Sequence, residues 1–247
     1  MDRMIYVGMS GAKQAMEQQA SVANNMANVS TPGFRAQINN FRAVPVVGVE
    51  AATRAMVVAS TPGADLRSGP MTQTGRALDV AVRGDGWLTL QMPDGSEAYT
   101  RVGNLQVGAD GQLTTLDSRP VAGEGGPLAV PPGSALVITS EGVVSAIGAG
   151  DPAVGAAEVG RLKLVNPPAA DLVRGDDGLF RLRAGAAPAQ ADPNVKLLTG
   201  TLEGSNVNPI EVMVDMIANA RRFDMHMKTL QTAESNDQQA NKLLSSS

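Results

Sequence analysis

Residues 5–28 read IYVGMSGAKQAMEQQASVANNMAN. Within them Ile5, Met9, Ala12, Met16, Gln19, Ala23 and Met26 recur at alternating intervals of four and three. That is the period of a helix with one packed stripe. At 1.5 Å per residue, a helix over 2–28 is about 40 Å long. Its other faces carry Ser10, Gln14, Gln18, Ser21, Asn24, Asn25 and Asn28, with charge only at Asp2, Arg3, Lys13 and Glu17. A helix facing water normally carries many charged pairs. Amides and alanines in their place suit a helix packed on several sides by other helices; an ordinary amphipathic surface helix is the alternative.

The other chain end mirrors this. Asn208 is placed to cap a helix, with Pro209 at its first position and Glu211 at its third. Met213, Met216, Ala220, Phe223, Met227 and Leu230 run through it at the same spacing, and the stripe then fades, resuming weakly at Ala233, Ala240, Leu243 and Leu244. A helix over 209–244 is roughly 54 Å long. The two stripes predict an α+β protein in which long N- and C-terminal helices pair as a coiled coil, with a central antiparallel β-rich domain between them. Both stripes lean on methionine, which fills irregular gaps and accepts varied neighbours. Neither has a large aliphatic seam, so each helix gains order only when packed.

The composition keeps the same division. Of 27 glycines and 15 prolines, 25 and 14 fall in residues 29–208, while nine of the 12 methionines fall outside them. The middle is therefore turn-rich. Leu78, Val80 and Val82 alternate with Asp79, Ala81 and Arg83, and Leu88, Leu90 and Met92 continue the pattern. Pro93-Asp94-Gly95 and Asp110-Gly111 are hairpin signals. Further short strands are predicted at 136–139, 143–147, 161–165 and 179–183. Pro32 disfavours helix at Thr31, so the first helix should end near Val29. The predicted organisation is a terminal-helix domain over 1–30 and 208–247, a hairpin and linker region over 31–70 and 190–207, and a β-rich outer domain over 71–189. Ser-Thr-Pro-Gly at 30–33 and 60–63 is a chance recurrence of a turn tetrapeptide.

Whole classes of chemistry drop out. With no cysteine there is no disulfide, thiolate metal site or cysteine nucleophile, and one histidine cannot supply two imidazole ligands. A net charge of −4 argues against a dedicated nucleic-acid binder. No apolar run is long enough to span a membrane, and the first residues lack the basic and apolar regions of a cleaved secretory signal. The protein is expected either to stay in the cytoplasm or to leave by a route that needs no such signal. Ser10-Gly11-Ala12-Lys13 matches the S-x-x-K pattern of serine hydrolases, in which Lys13 would activate Ser10, but the partner motifs are missing. Gly148-Ala149-Gly150-Asp151-Pro152-Ala153 has the glycine spacing of a dinucleotide loop, yet residues 154–160 are too few and too glycine-broken to make a crossover helix. His226 has no second imidazole to share a metal, and Asp176-Asp177-Gly178 reads as a turn. No catalytic, cofactor or metal site is expected.

Ala23-Asn24-Asn25-Met26-Ala27-Asn28-Val29-Ser30-Thr31-Pro32-Gly33-Phe34-Arg35 closely resembles the signature of the bacterial flagellar rod and hook proteins. The middle is similar to that family's β-domain core at Gly84-Asp85-Gly86-Trp87, at Tyr99-Thr100-Arg101-Val102-Gly103-Asn104-Leu105 and at Asp110-Gly111-Gln112-Leu113, with Trp87 where many members have Phe. The C-terminal part agrees at Leu202-Glu203-Gly204-Ser205-Asn206-Val207-Asn208 and Leu230-Gln231-Thr232. The opening Met1-Asp2-Arg3-Met4-Ile5-Tyr6, the run over 34–46 and the short length look most like a proximal-rod member; a distal-rod or hook subunit is the alternative. The resemblance implies a non-enzymatic structural subunit of a hollow, helically assembled, torque-transmitting shaft that crosses the periplasm in the basal body. It implies partners in copies of itself, in the proximal-rod proteins below and the distal-rod protein above, and in the flagellar type III apparatus that exports the chain unfolded. It implies no nucleic-acid partner and no membrane insertion. Ile5, Met9, Met16, Asn24, Asn25, Met26, Asn28, Met213, Met216, Phe223, Met227 and Leu230 would pack in the assembly. Thr31, Pro32, Gly33 and Phe34 would fix the exit from helix to β domain.

Overall fold

The computed structural model describes residues 2–45, 55–59, 63–148 and 156–245. Part of the linker predicted over 31–70, the first three residues of the second Ser-Thr-Pro-Gly (60–62) and all but the first residue of the glycine loop (149–153) lie outside the described residues, as do the side chains of Ala240, Leu243 and Leu244. The chain divides into two compact units, one of Met1–Val29, Gln37–Asp65 and Val207–Ser247, the other of Ser30–Ala36 and Leu66–Asn206.

The first unit is built on two helices, α1 (Asp2–Ala27) and α2 (Pro209–Ser245). The end of α1 tightens in its last turn. The Asn28 amide is shared between the Asn24 and Asn25 carbonyls at 3.2 Å each, and Val29 N–H donates to Met26 at 3.3 Å. The start of α2 is capped by Asn208, whose side-chain oxygen accepts from Ile210 N–H at 3.1 Å.

The helices run antiparallel, with Leu230 against Gly8 and His226 against Gly11. The expected coiled coil is not what the chain forms. Four methionines of the predicted seam, Met9 (55% exposed), Met16 (61%), Met213 (50%) and Met227 (38%), face away from the pairing. The buried face of α1 is Gly8, Ala12, Ala15, Val22 and Asn25, and that of α2 is Val212, Asn219 and Ala233; only Ala12 and Ala233 among them belong to the predicted stripes. The reason is steric. A β-carbon on Gly8 would stand 2.9 Å from Leu230 Cδ2, and one on Gly11 would overlap the His226 ring. Small residues let the backbones approach closely, while a methionine seam would hold them apart.

Two antiparallel strand pairs complete this unit: Gln37–Ile38 with Gly63–Ala64, and Phe41–Pro45 with Ala55–Ala59. Asn25 ties the first to α1. Its amide accepts from Gln37 N–H at 2.7 Å and donates to the Gln37 carbonyl at 2.9 Å, as a neighbouring strand would.

The second unit is antiparallel β throughout its described strands. A five-stranded sheet runs in the spatial order Leu164–Val165, Trp87–Gln91, Glu97–Thr100, Phe180–Leu182, Leu172–Arg174. A three-stranded sheet joins Ala135–Ile138, Val143–Ile147 and Ala157–Arg161. Shorter pairs join Val80–Arg83 to Lys196–Thr199 and Met71–Gln73 to Thr201–Glu203. Alternation places Val80, Val82, Leu88, Leu90, Leu105, Leu113, Leu162 and Leu197 in one aliphatic core. The predicted turns form: Asp94 Oδ1 accepts from Ser96 N–H at 2.9 Å, with Gly95 at φ +80°. The strand expected over 161–165 is two strands, Ala157–Arg161 and Leu164–Val165, in different sheets. The chain changes sheet at Leu162 and Lys163.

Candidate assembly surface

The surface of the helical unit is unusual in what it exposes. On α1, Tyr6, Val7, Met9 and Met16 are all more than half exposed; on α2, Ile210, Val214, Ile217 and Met225 are too. Large apolar side chains repeated along both helices form exposed apolar faces of the kind found at interaction sites. Of the remaining residues singled out by sequence, Ile5, Met26, Met216, Phe223 and Leu230 are half-buried, and Leu230 packs on Gly8. Asn24 is exposed; Asn28 donates through its side chain to the Asn24 carbonyl at 2.8 Å. Asn25 is buried on Gln37.

Among the described residues, no active-site geometry is formed around Ser10. The Lys13 side chain is 80% exposed and reaches Glu17 at 3.8 Å, one turn further along α1. His226 is used in packing on Gly11. Asp177 sits in a turn, where hydrogen bonds from Arg181 hold its carboxyl below the usual range against the opposing effect of burial.

Of the residues expected to steer the chain out of the helix, Thr31, Pro32 and Phe34 are half-buried, and Gly33 lies against a buried ionic cluster of the β unit. Gly33 has φ +67° and donates its N–H to the Glu203 carbonyl at 2.7 Å. A β-carbon there would strike the backbone of Arg101 and Val102. Phe34 lies under the Arg174 guanidinium, 4.9 Å from ring centroid to charge centre. Next along the chain, Arg35 Nη2 donates to Glu203 Oε1 at 2.7 Å, and Gly69 N–H donates to the same oxygen at 2.9 Å. Glu203 Oε2 accepts from Arg101 Nη1 at 3.2 Å. All three side chains are buried. Burial pushes Arg101 below the ordinary guanidinium range; Glu203 opposes that shift and the like charge of Arg35 adds to it. Arg101 Nη2 also donates to the Gly84 carbonyl at 2.8 Å, and its guanidinium stands 5.2 Å from the Trp87 ring. Asn206 closes the arrangement, accepting from Ala36 N–H at 2.7 Å and donating to the Arg67 carbonyl at 2.9 Å.

The segments 31–36 and 201–206, 168 residues apart at the Arg35–Glu203 pair, thus share one charge cluster. Sequence reading missed it. The available signal was three charged residues inside stretches otherwise made of glycine, small and apolar residues.

Three family models match parts of the chain. The family described as "Flagella basal body rod protein" matches residues 5–35, "Flagellar hook protein FlgE/F/G D1 domain" matches 81–146, and "Flagellar basal body rod FlgEFG protein C-terminal" matches 198–243. The flagellar basal-body rod protein FlgF of Salmonella typhimurium is 54% identical over 252 residues, covering 100% of both chains. That of Escherichia coli K12 is 52% identical over 252 residues, again covering 100% of both. The flagellar basal-body rod protein FlgG of Bacillus subtilis is 30% identical, covering 94% of this chain and 95% of its own. Full-length identity above one half, joined to family matches at both helices and the β unit, shows that the chain belongs to the flagellar basal-body rod protein FlgF family and is a structural subunit of the rod rather than an enzyme.

Proposed function

We propose that the chain enters the rod through the apolar faces that α1 and α2 leave uncovered, meeting the terminal helices of other rod subunits there. The exposed methionines and aliphatic side chains on both helices carry this reading. Assembly with other rod subunits follows from membership of the family. The finer picture is that these subunits are further copies of this chain, proximal-rod proteins on one side and the distal-rod protein on the other. Met9, Met16, Met213 and Met227 then lie between subunits, with Asn24 meeting polar groups of packed neighbours. Ile5, Met26, Asn28, Met216, Phe223 and Leu230 support them from within the helix pair.

In this reading residues 1–30 and 208–247 build the inner wall of a hollow, torque-transmitting shaft, 71–189 form its outer part, and 31–70 with 190–207 link the two. Thr31, Pro32, Gly33 and Phe34 fix the exit from helix to β unit. Export as an unfolded chain through the type III apparatus into the periplasmic rod fits helices that gain order on packing.

Ile217→Glu together with Met213→Glu tests the surface. Burying two unpaired carboxylates in an apolar contact costs several kcal/mol. Swimming of cells carrying only this variant is expected to be abolished, while thermal unfolding of the purified variant, followed by Trp87 fluorescence in the β unit, stays unchanged. Normal swimming would sink the reading.

A further inference from the structure

The helix pair leaves two different apolar stripes uncovered. On α1, Tyr6, Met9 and Met16 stand outward, each more than half exposed, with Lys13 between them. On α2, Ile210, Met213, Val214 and Ile217 stand outward over the first turns. The same face of α2 continues at helical spacing with Arg221, Asp224 and Lys228, so the apolar part ends at Ile217. Gly11, at the middle of the α1 stripe, lies against His226. The middle of the α2 stripe, at Met213 and Val214, is roughly 20 Å away along the axis. One chain therefore cannot lay one stripe on the other. The charges differ as well. The α2 stripe is flanked by Glu211 and Asp215, and no lysine or arginine falls between Asn208 and Ala220. The α1 stripe is centred near Lys13, whose exposed pairing with Glu17 at 3.8 Å contributes little and leaves it open to a nearer carboxylate.

We propose that the α1 stripe of one copy seats on the α2 stripe of the next, a head-to-tail contact between unlike surfaces; this rests on the reading of these helices as the assembly surface. A shaft whose subunits all point one way needs unlike surfaces. A like-on-like contact closes as a pair about a two-fold axis and leaves nothing to extend. Charge selects the same arrangement. Laying two α1 stripes together sets Lys13 near its own copy, and laying two α2 stripes together does the same for Glu211 and Asp215. The unlike contact sets Lys13 near Glu211 and Asp215 instead, and like charges brought together disfavour the wrong pairing.

The chain contains no cysteine, so introduced thiols are its only crosslinking sites. Two singly substituted full-length chains, Met9→Cys and Ile217→Cys, are expressed alone and together in cells lacking the parent chain. Basal bodies isolated from swimming cells are treated with a flexible bis-maleimide. A crosslinked dimer of the chain is expected where both variants are present, and none above background with either alone. Met16→Cys with Val214→Cys gives the same reading where the first pair impairs swimming. A dimer formed as readily by one variant alone would show a like-on-like contact and overturn the proposal. No dimer in any swimming strain would mean that a different rod subunit covers the stripes, and would overturn the second copy as occupant. Either result leaves the assembly surface itself standing, since its own test is the swimming of Ile217→Glu with Met213→Glu.

Discussion

Replacing Glu203 by glutamine is expected to lower the stability of the β unit by about 3–5 kcal/mol. The carboxylate stands between two buried guanidinium groups, and it accepts from Arg35, Arg101 and the Gly69 amide together. Glutamine fits the same space. Its oxygen can still serve Arg35 and Gly69, but its NH2 then faces the donor Arg101 Nη1. Two cations are left buried, with Arg35 Nε, Arg35 Nη1 and Arg101 Nε already lacking partners. Trp87 is the only tryptophan and lies 5.2 Å from the Arg101 guanidinium, so its fluorescence reports this unit. The urea midpoint of that signal should fall by roughly 1–2 M. A midpoint that does not move would mean that water reaches the cluster in solution. Replacing all three side chains by methionine or leucine is expected to be far milder than Glu203→Gln, because a buried ion cluster contributes little net stability while an orphaned buried charge costs a great deal.

The same cluster shows where sequence reading stops. Alternation at Val80, Val82, Leu88 and Leu90 was sufficient to place strands, because a period of two is that of an extended chain, although Ala81, Trp87 and Thr89 on the other face are buried as well. Pro93-Asp94-Gly95 and Asn208-Pro209 marked a turn and a helix start because few backbone conformations suit them. Those signals are local. The meeting of Arg35, Arg101 and Glu203 is not, since it depends on the path of the chain between positions up to 168 residues apart. Their presence in motif-like stretches singled out the stretches without revealing that they touch.

The helices fail differently. The period of α1 and α2 was legible, but which face pairs was not. Two candidate stripes lie one residue apart at Met9 and Gly8, at Met16 and Ala15, at Met213 and Val212, and at Met227 and His226. Hydrophobicity favours the methionines. Close approach favours the glycines and alanines, and within the chain close approach wins. The methionines are left outside, where their adaptable side chains suit contact with subunits that are not identical to one another. So the apolar pattern that misled the pairing is the one on which the proposed assembly surface rests.

Gly33→Ala should destabilise the β unit by about 3 kcal/mol, and the cause can be isolated within this protein. At φ +67° an L-residue loses about 1–2 kcal/mol from its own backbone conformation. The added methyl would also lie 2.5 Å from Val102 N and 2.6 Å from the Arg101 carbonyl oxygen, which are backbone atoms with no rotamer to yield. Relieving that overlap moves Gly33 away from the Glu203 carbonyl it bonds at 2.7 Å, or moves Arg101 away from the Glu203 carboxylate, at a further cost of about 1–3 kcal/mol. Gly75 has nearly the same dihedral, φ +75°, but nothing within 4 Å of where its β-carbon would stand. Gly75→Ala should therefore show the backbone loss alone, about 1 kcal/mol. The difference between the two urea midpoints measures the close approach at the helix exit. Equal midpoints would show that Gly33 is required only for its dihedral and that the exit does not bear on Arg101. A larger loss at Gly33, together with impaired swimming, would tie the motif glycine to the way the chain leaves α1.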